Sequence, residues 1–131
     1  MNKLAIADFM TSTPLAIDCD GTLADAHELM RKHLVRHLPV LSRGRLAGIV
    51  SERDLHLIET LKDVNPMRVT VEEAMTADVF TVEADASLEE TARTMADNKY
   101  GSAVVVERGD VIGVFTTTDA LRALASILSV D

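Results

Sequence analysis

Gly48-Ile49-Val50-Ser51-Glu52-Arg53-Asp54 returns 65 residues later as Gly113-Val114-Phe115-Thr116-Thr117-Thr118-Asp119. In both stretches apolar, β-favouring residues run up to a Ser or Thr that is followed three positions on by Asp. The first part reads as a strand and the second as a capping box that starts a helix, so a strand passes into a helix with no loop between them.

Working outward, the same shift holds without a gap. Met10 and Thr11 fall on Met75 and Thr76, Leu23 on Leu88, Met30 on Met95, Val40 on Val105, and Arg43-Gly44 on Arg108-Gly109. The chain is therefore a tandem repeat, residues 1–65 and 66–131. Each copy opens with a short apolar segment, Leu15 to Ile17 or Phe80 to Val82. Thr22 with Asp25, or Ser87 with Glu90, then caps a helix expected over Leu23–His33 or Leu88–Asn98. Two strands follow, Leu38–Leu41 and Leu46–Val50, or Ala103–Val106 and Val111–Phe115, turning at Arg43-Gly44 and at Gly109. A second helix, about Glu52 to Leu61 or Thr117 to Leu128, closes each copy. The expected class is α/β, a βαββα unit repeated twice and joined by a polar segment from Lys62 to Arg68. A unit of about 60 residues is marginal alone, so the copies are expected to form one module.

The 131 residues are 47% hydrophobic, enough for a core, and carry a formal charge of −8. That charge repels nucleic acid and anionic lipid, and the few aromatic residues offer little for base stacking. No apolar run is long enough to span a bilayer, and the N-terminus has no cleavable leader pattern. With the single Cys19, these features fit a reducing cytoplasm.

The Met-Thr pair opening each copy, the Leu38-Pro39-Val40 run and the two glycine-to-aspartate segments together resemble tandem CBS (cystathionine β-synthase type) domains, over about Ile6 to Ala125. The resemblance implies a pseudo-twofold module whose sheets pack together, a regulatory rather than catalytic role, and adenosine-containing ligands such as AMP, ADP, ATP or S-adenosylmethionine in two clefts. It implies no required cofactor. Asp54 and Asp119 match the family residue that accepts from the ribose hydroxyls, which suits a carboxylate with two acceptor oxygens. Ser51 and Thr116, at helix N-termini, would sit near sugar and phosphate. Arg36, His37, Pro39, Arg53 and Thr118 complete the candidate set. Gly48 and Gly113 mark a close approach by a ligand or by a neighbouring strand. The capping boxes also account for Ser51, Asp54, Thr116 and Asp119 with no ligand, and Arg36, His37 and Arg53 read equally as solvated charge. A ligand-free interaction module is thus the alternative.

Ile17-Asp18-Cys19-Asp20-Gly21-Thr22 looks like the first motif of haloacid dehalogenase-type phosphatases. It lacks that family's later Lys and acidic pair, and its repeat partner turns Asp18 into Glu83, so it reads as a turn and helix start. His27, His33, His37 and His56 read as surface histidines, with no metal site expected. Two further expectations concern partners and symmetry. The last helix is apolar at seven of nine positions from Ala120 to Leu128, more than one buried stripe requires, which points to a homodimer beside an unidentified effector protein. The Asp54 site should dominate for phosphorylated ligands, because Arg36, His37 and Arg53 become Gly101, Ser102 and Thr118 in the second copy.

Overall fold

A computed structural model describes residues 4–12, 15–61 and 64–129. Lys62 and Asp63 of the expected connector, and Pro14, lie outside them. The elements are β1 (Thr11–Ser12), β2 (Ile17–Asp18), α1 (Leu23–His33), β3 (His37–Ser42), β4 (Arg45–Ser51), α2 (Glu52–Glu59), β5 (Thr81–Glu83), α3 (Leu88–Asn98), β6 (Ser102–Glu107), β7 (Asp110–Thr116) and α4 (Thr117–Leu128), with 3-10 turns at Ile6–Asp8 and Val71–Glu73. The βαββα order appears twice, as read from the sequence. Helix α2 stops at Glu59, earlier than expected, where the Thr60 hydroxyl donates to the Leu57 carbonyl at 2.8 Å.

The local chemistry explains the boundaries. Thr22 and Ser51 each accept from the backbone N–H three residues on, while Asp25 and Asp54 return the bond to the cap N–H. Leu34 and Lys99 end α1 and α3 in the left-handed region. At the hairpins Arg43-Gly44 and Arg108-Gly109 have positive φ at both positions, the geometry of a turn whose twist matches the strands it joins.

Two compact units result, and they cut across the sequence repeat. One is Leu15–Val79; the other joins the N-terminal segment to Phe80 and the residues after it. Each unit therefore contains the opening segment of the other repeat. In the first unit Val71 donates to the Gly21 carbonyl, Leu23 to the Val69 carbonyl, and Thr76 exchanges both backbone bonds with Ile49. In the second, Ile6 donates to Ala86, Leu88 to Leu4, and β1 pairs antiparallel with β7, Thr11 opposite Val114. Ile6 and Val71 are fully buried in these cores. The crossing also explains two glycines: a Cβ on Gly48 would lie 2.7 Å from the Thr76 carbonyl oxygen, and one on Gly113 2.7 Å from that of Thr11.

The sheets are β2-β3-β4 in the Leu15–Val79 unit and β1-β7-β6-β5 in the other. Val104 donates its N–H to the Phe80 carbonyl at 2.9 Å and β5 is three residues long. Its counterpart Pro39 has no N–H to give, and β2 is two residues long, pairing only from Val40 onward. The cores compensate internally. Leu38 faces Val50 across β3 and β4, whereas Ala103 faces Phe115 across β6 and β7, all four buried. The change from Leu-Pro-Val to Ala-Val-Val is thus a repacking around a larger ring.

Candidate ligand-binding site

In the Leu15–Val79 unit, six chemistry-bearing residues reach one end of the sheet. His37 lies opposite Ser51 in the β3–β4 register, and Glu52 donates its N–H to the Arg36 carbonyl at 2.9 Å. Arg36, His37, Ser51, Glu52, Arg53 and Asp54 are thereby neighbours at the start of α2, where helix N–H groups favour negative charge. Asp54 Oδ2 accepts from Ser51 N at 2.8 Å, and Ser51 Oγ accepts from Asp54 N at 3.1 Å. Among the described residues Asp54 Oδ1 accepts nothing, and the side chain is only half-buried. Arg36 and Arg53 are exposed. Arg36 also lines a cavity of about 570 Å³ with Arg31, Glu52, His27 and His56.

The matching end of the other unit is built alike and spent differently. Thr117 donates to the Gly101 carbonyl, and Ser102 lies opposite Thr116. Asp119 Oδ2 accepts from Thr116 N at 2.9 Å and from Thr116 Oγ1 at 3.2 Å. Its Oδ1 accepts the Thr11 hydroxyl at 3.0 Å and has Arg122 at 3.7 Å. The residue is 4% exposed. Both oxygens are committed to the fold, which leaves no ready acceptor for a diol. Thr76, the repeat partner of Thr11, is exposed and meets Ile49 through its backbone. Thr118 is exposed.

The remaining sequence candidates fall as follows. Pro39 is fully buried and presents no surface. At Gly48 and Gly113 the close neighbour is the crossing segment, one of the two readings left open. Asp18 ends β2 and Asp20 lies in the turn before α1, with Asp20 N donating to Asp18 Oδ1 at 2.9 Å, the geometry of a turn before a helix. His33 is exposed, while His27 and His56, read from the sequence as surface histidines, come within 5.5 Å of each other by ring centroid. The Thr11–Asp119 bond spans 108 residues, and nothing in either segment alone signals it. No helix among the described residues is long and apolar enough to cross a membrane.

The comparisons bear on the doubled fold. The model of the CBS domain matches twice, over residues 6–57 and 71–126. The CBS domain-containing protein YhcV of Bacillus subtilis is 25% identical over 115 residues, covering 88% of this chain and 81% of its own length. Among solved structures, a putative acetoin utilization protein (AcuB) from Vibrio cholerae is 30% identical with a TM-score of 0.82, covering 97% of this chain and 94% of that one. CBSX2 in complex with AMP is 28% identical with a TM-score of 0.74, covering 95% of this chain and 98% of that one. With its doubled strand-to-helix capping box and both repeats matched, the chain belongs to the CBS domain family as a tandem pair.

Proposed function

We propose that the chain is a regulatory module that binds an adenosine-containing nucleotide at the Asp54 end of the Leu15–Val79 unit and passes the signal to a separate effector protein. One observation carries this reading: Asp54 keeps an uncommitted carboxylate oxygen beside a helix N-terminus, with Arg36, His37 and Arg53 within the same cluster. A carboxylate accepts from the two ribose hydroxyls, the Ser51 hydroxyl donates to phosphate, and arginine supplies a fork of donors. The AMP complex of CBSX2 supports the ligand class. Function as a sensor needs no reacting group, which accords with the regulatory character of the family.

The partner for self-association is a second copy packed along α4, where Leu121 is 66% and Leu128 71% exposed. A groove of about 560 Å³ between α3 and α4, lined by Leu88, Ala92, Ala123, Leu124 and Ile127, continues that apolar face. Light scattering should give a dimer, and Leu121→Glu with Leu128→Glu should return it to a monomer of 14.2 kDa.

The deciding experiment is calorimetric titration with AMP, ADP, ATP and S-adenosylmethionine. At a hundredfold excess over Kd a ligand stabilises the native chain by about 2.7 kcal/mol, and the melting point should rise by about 5 to 15 °C. Asp54→Asn, which keeps an acceptor for the helix cap, should weaken binding about ten- to a hundredfold. A flat response to every ligand at millimolar concentration would leave the ligand-free interaction module in its place.

A further inference from the structure

Three side chains unused by the nucleotide reading meet between α1 and α2. His27 stands on α1. His56 and Glu59 stand on α2, three residues apart and so on one face. His27 Nε2 is hydrogen-bonded to Glu59 Oε1, both side chains 22% exposed. The rings of His27 and His56 are 5.5 Å apart by centroid, inclined by 30°.

Two imidazoles and a carboxylate form a donor set suited to a first-row divalent ion. Two rings on one tetrahedral zinc, each nitrogen about 2 Å from the metal, have centroids about 5 Å apart, close to the spacing observed. The cavity of about 570 Å³ that His27 and His56 line provides entry and room for a water as fourth ligand. Arg31, Arg36 and Glu52 also face it. Those two guanidiniums against one carboxylate weaken cation binding without preventing it. At the repeat-related positions stand Ala92, Leu121 and Leu124, which have no donor atoms.

We propose that His27, His56 and Glu59 bind one zinc-like divalent ion per chain, bridging α1 to α2 beside the nucleotide site and through ligands that site does not use. Ligation replaces the proton between His27 and Glu59 and turns the His56 ring toward the same point. Asp18, Cys19 and Asp20 already place donor atoms within 4.8 Å of one another, whereas His27, His56 and Glu59 converge to that degree only once the His56 ring turns. That acidic turn around a buried thiol has no second sign of a ligand and serves as the control.

The test is titration of the full chain with Co²⁺, followed by its visible absorption, then displacement by Zn²⁺. One Co²⁺ per chain with tetrahedral d–d bands is expected, and binding should weaken as pH falls, because protons compete for imidazole. His56→Gln is the decisive variant: the side chain is exposed and its only described contact is the His27 ring, so the fold should persist. Affinity should drop by well over a hundredfold, beyond the roughly ten- to hundredfold that a merely supporting neighbour contributes, and Glu59→Gln should follow it. Cys19→Ser and Asp54→Asn should bind the ion as the unaltered chain does, which separates this site from the nucleotide site. No tetrahedral spectrum at stoichiometric metal, undiminished binding in His56→Gln, or loss of binding in Cys19→Ser would each overturn the proposal.

Discussion

Asp54 and Asp119 occupy the same position in two copies of one repeat, in the same capping box at the start of the same helix. One keeps a free oxygen; the other is sealed by a hydroxyl from the segment that crosses into its unit. The backbone plan is shared down to the bulge that follows Val40 and Val105, so the difference lies in side chains set on a common frame. Inside the units, divergence is compensated: Leu38 with Val50 becomes Ala103 with Phe115. On the surface nothing enforces compensation, and Arg36, His37 and Arg53 disappear from the second copy outright. A duplicated frame can thus keep one end as a site while turning the other into structure.

The largest effect should come from the compensated cores. Phe115→Ala removes a fully buried ring that Ala103 cannot replace, and about 3–5 kcal/mol of stability should be lost in denaturant unfolding. Ala103→Leu alone overpacks and should cost about 1–3 kcal/mol. Combining Ala103→Leu with Phe115→Val should recover most of the loss, since contacting residues are not additive. A double variant no better than the sum of its parts would break the claim that the two cores solve one packing problem in two ways.

Gly48→Ala and Gly113→Ala should each cost about 1–3 kcal/mol, because both place a Cβ 2.7 Å from a crossing carbonyl oxygen. Similar losses in thermal unfolding would sharpen the view that the crossing is the same in both units.

Next come the two aspartates, for which stability and binding should separate. Asp119→Ala leaves half-buried donors of Thr116 and Thr11 unpaired and should destabilise by about 1–3 kcal/mol. Asp54→Ala should cost only a helix cap, about 1 kcal/mol, yet remove most affinity for AMP or ATP in calorimetry. Equal loss of affinity in both variants would end the functional distinction. The smallest effect belongs to Thr11→Val, which removes one hydrogen bond, about 1 kcal/mol. It also uncovers Asp119 Oδ1, so a second, weaker binding event in calorimetry would show that this hydroxyl is what closes the second end.

Much of this was legible because it is local. The capping pairs Thr22 with Asp25, Ser51 with Asp54 and Thr116 with Asp119 lie three residues apart, and each starts a helix where the sequence places it. The Arg-Gly turns set both hairpins, and the 65-residue shift revealed the repeat. Arg36 and His37, chosen for their place before Leu38-Pro39-Val40, lie beside Ser51 and Glu52 because the hairpin closed at Arg43-Gly44 brings them there. Pro39, grouped with them on its neighbours alone, is buried.

By itself, then, the sequence determined the element order, the caps, the turns and the doubled strand-to-helix motif, because these rest on residues a few positions apart. The tertiary structure decided which segment crosses to which sheet, that Asp119 is sealed by Thr11 while Asp54 is not, and that His27 meets His56 and Glu59. Those outcomes depend on contacts across 27 to 108 residues, where no local spacing carries the signal and only the folded backbone brings the partners within reach.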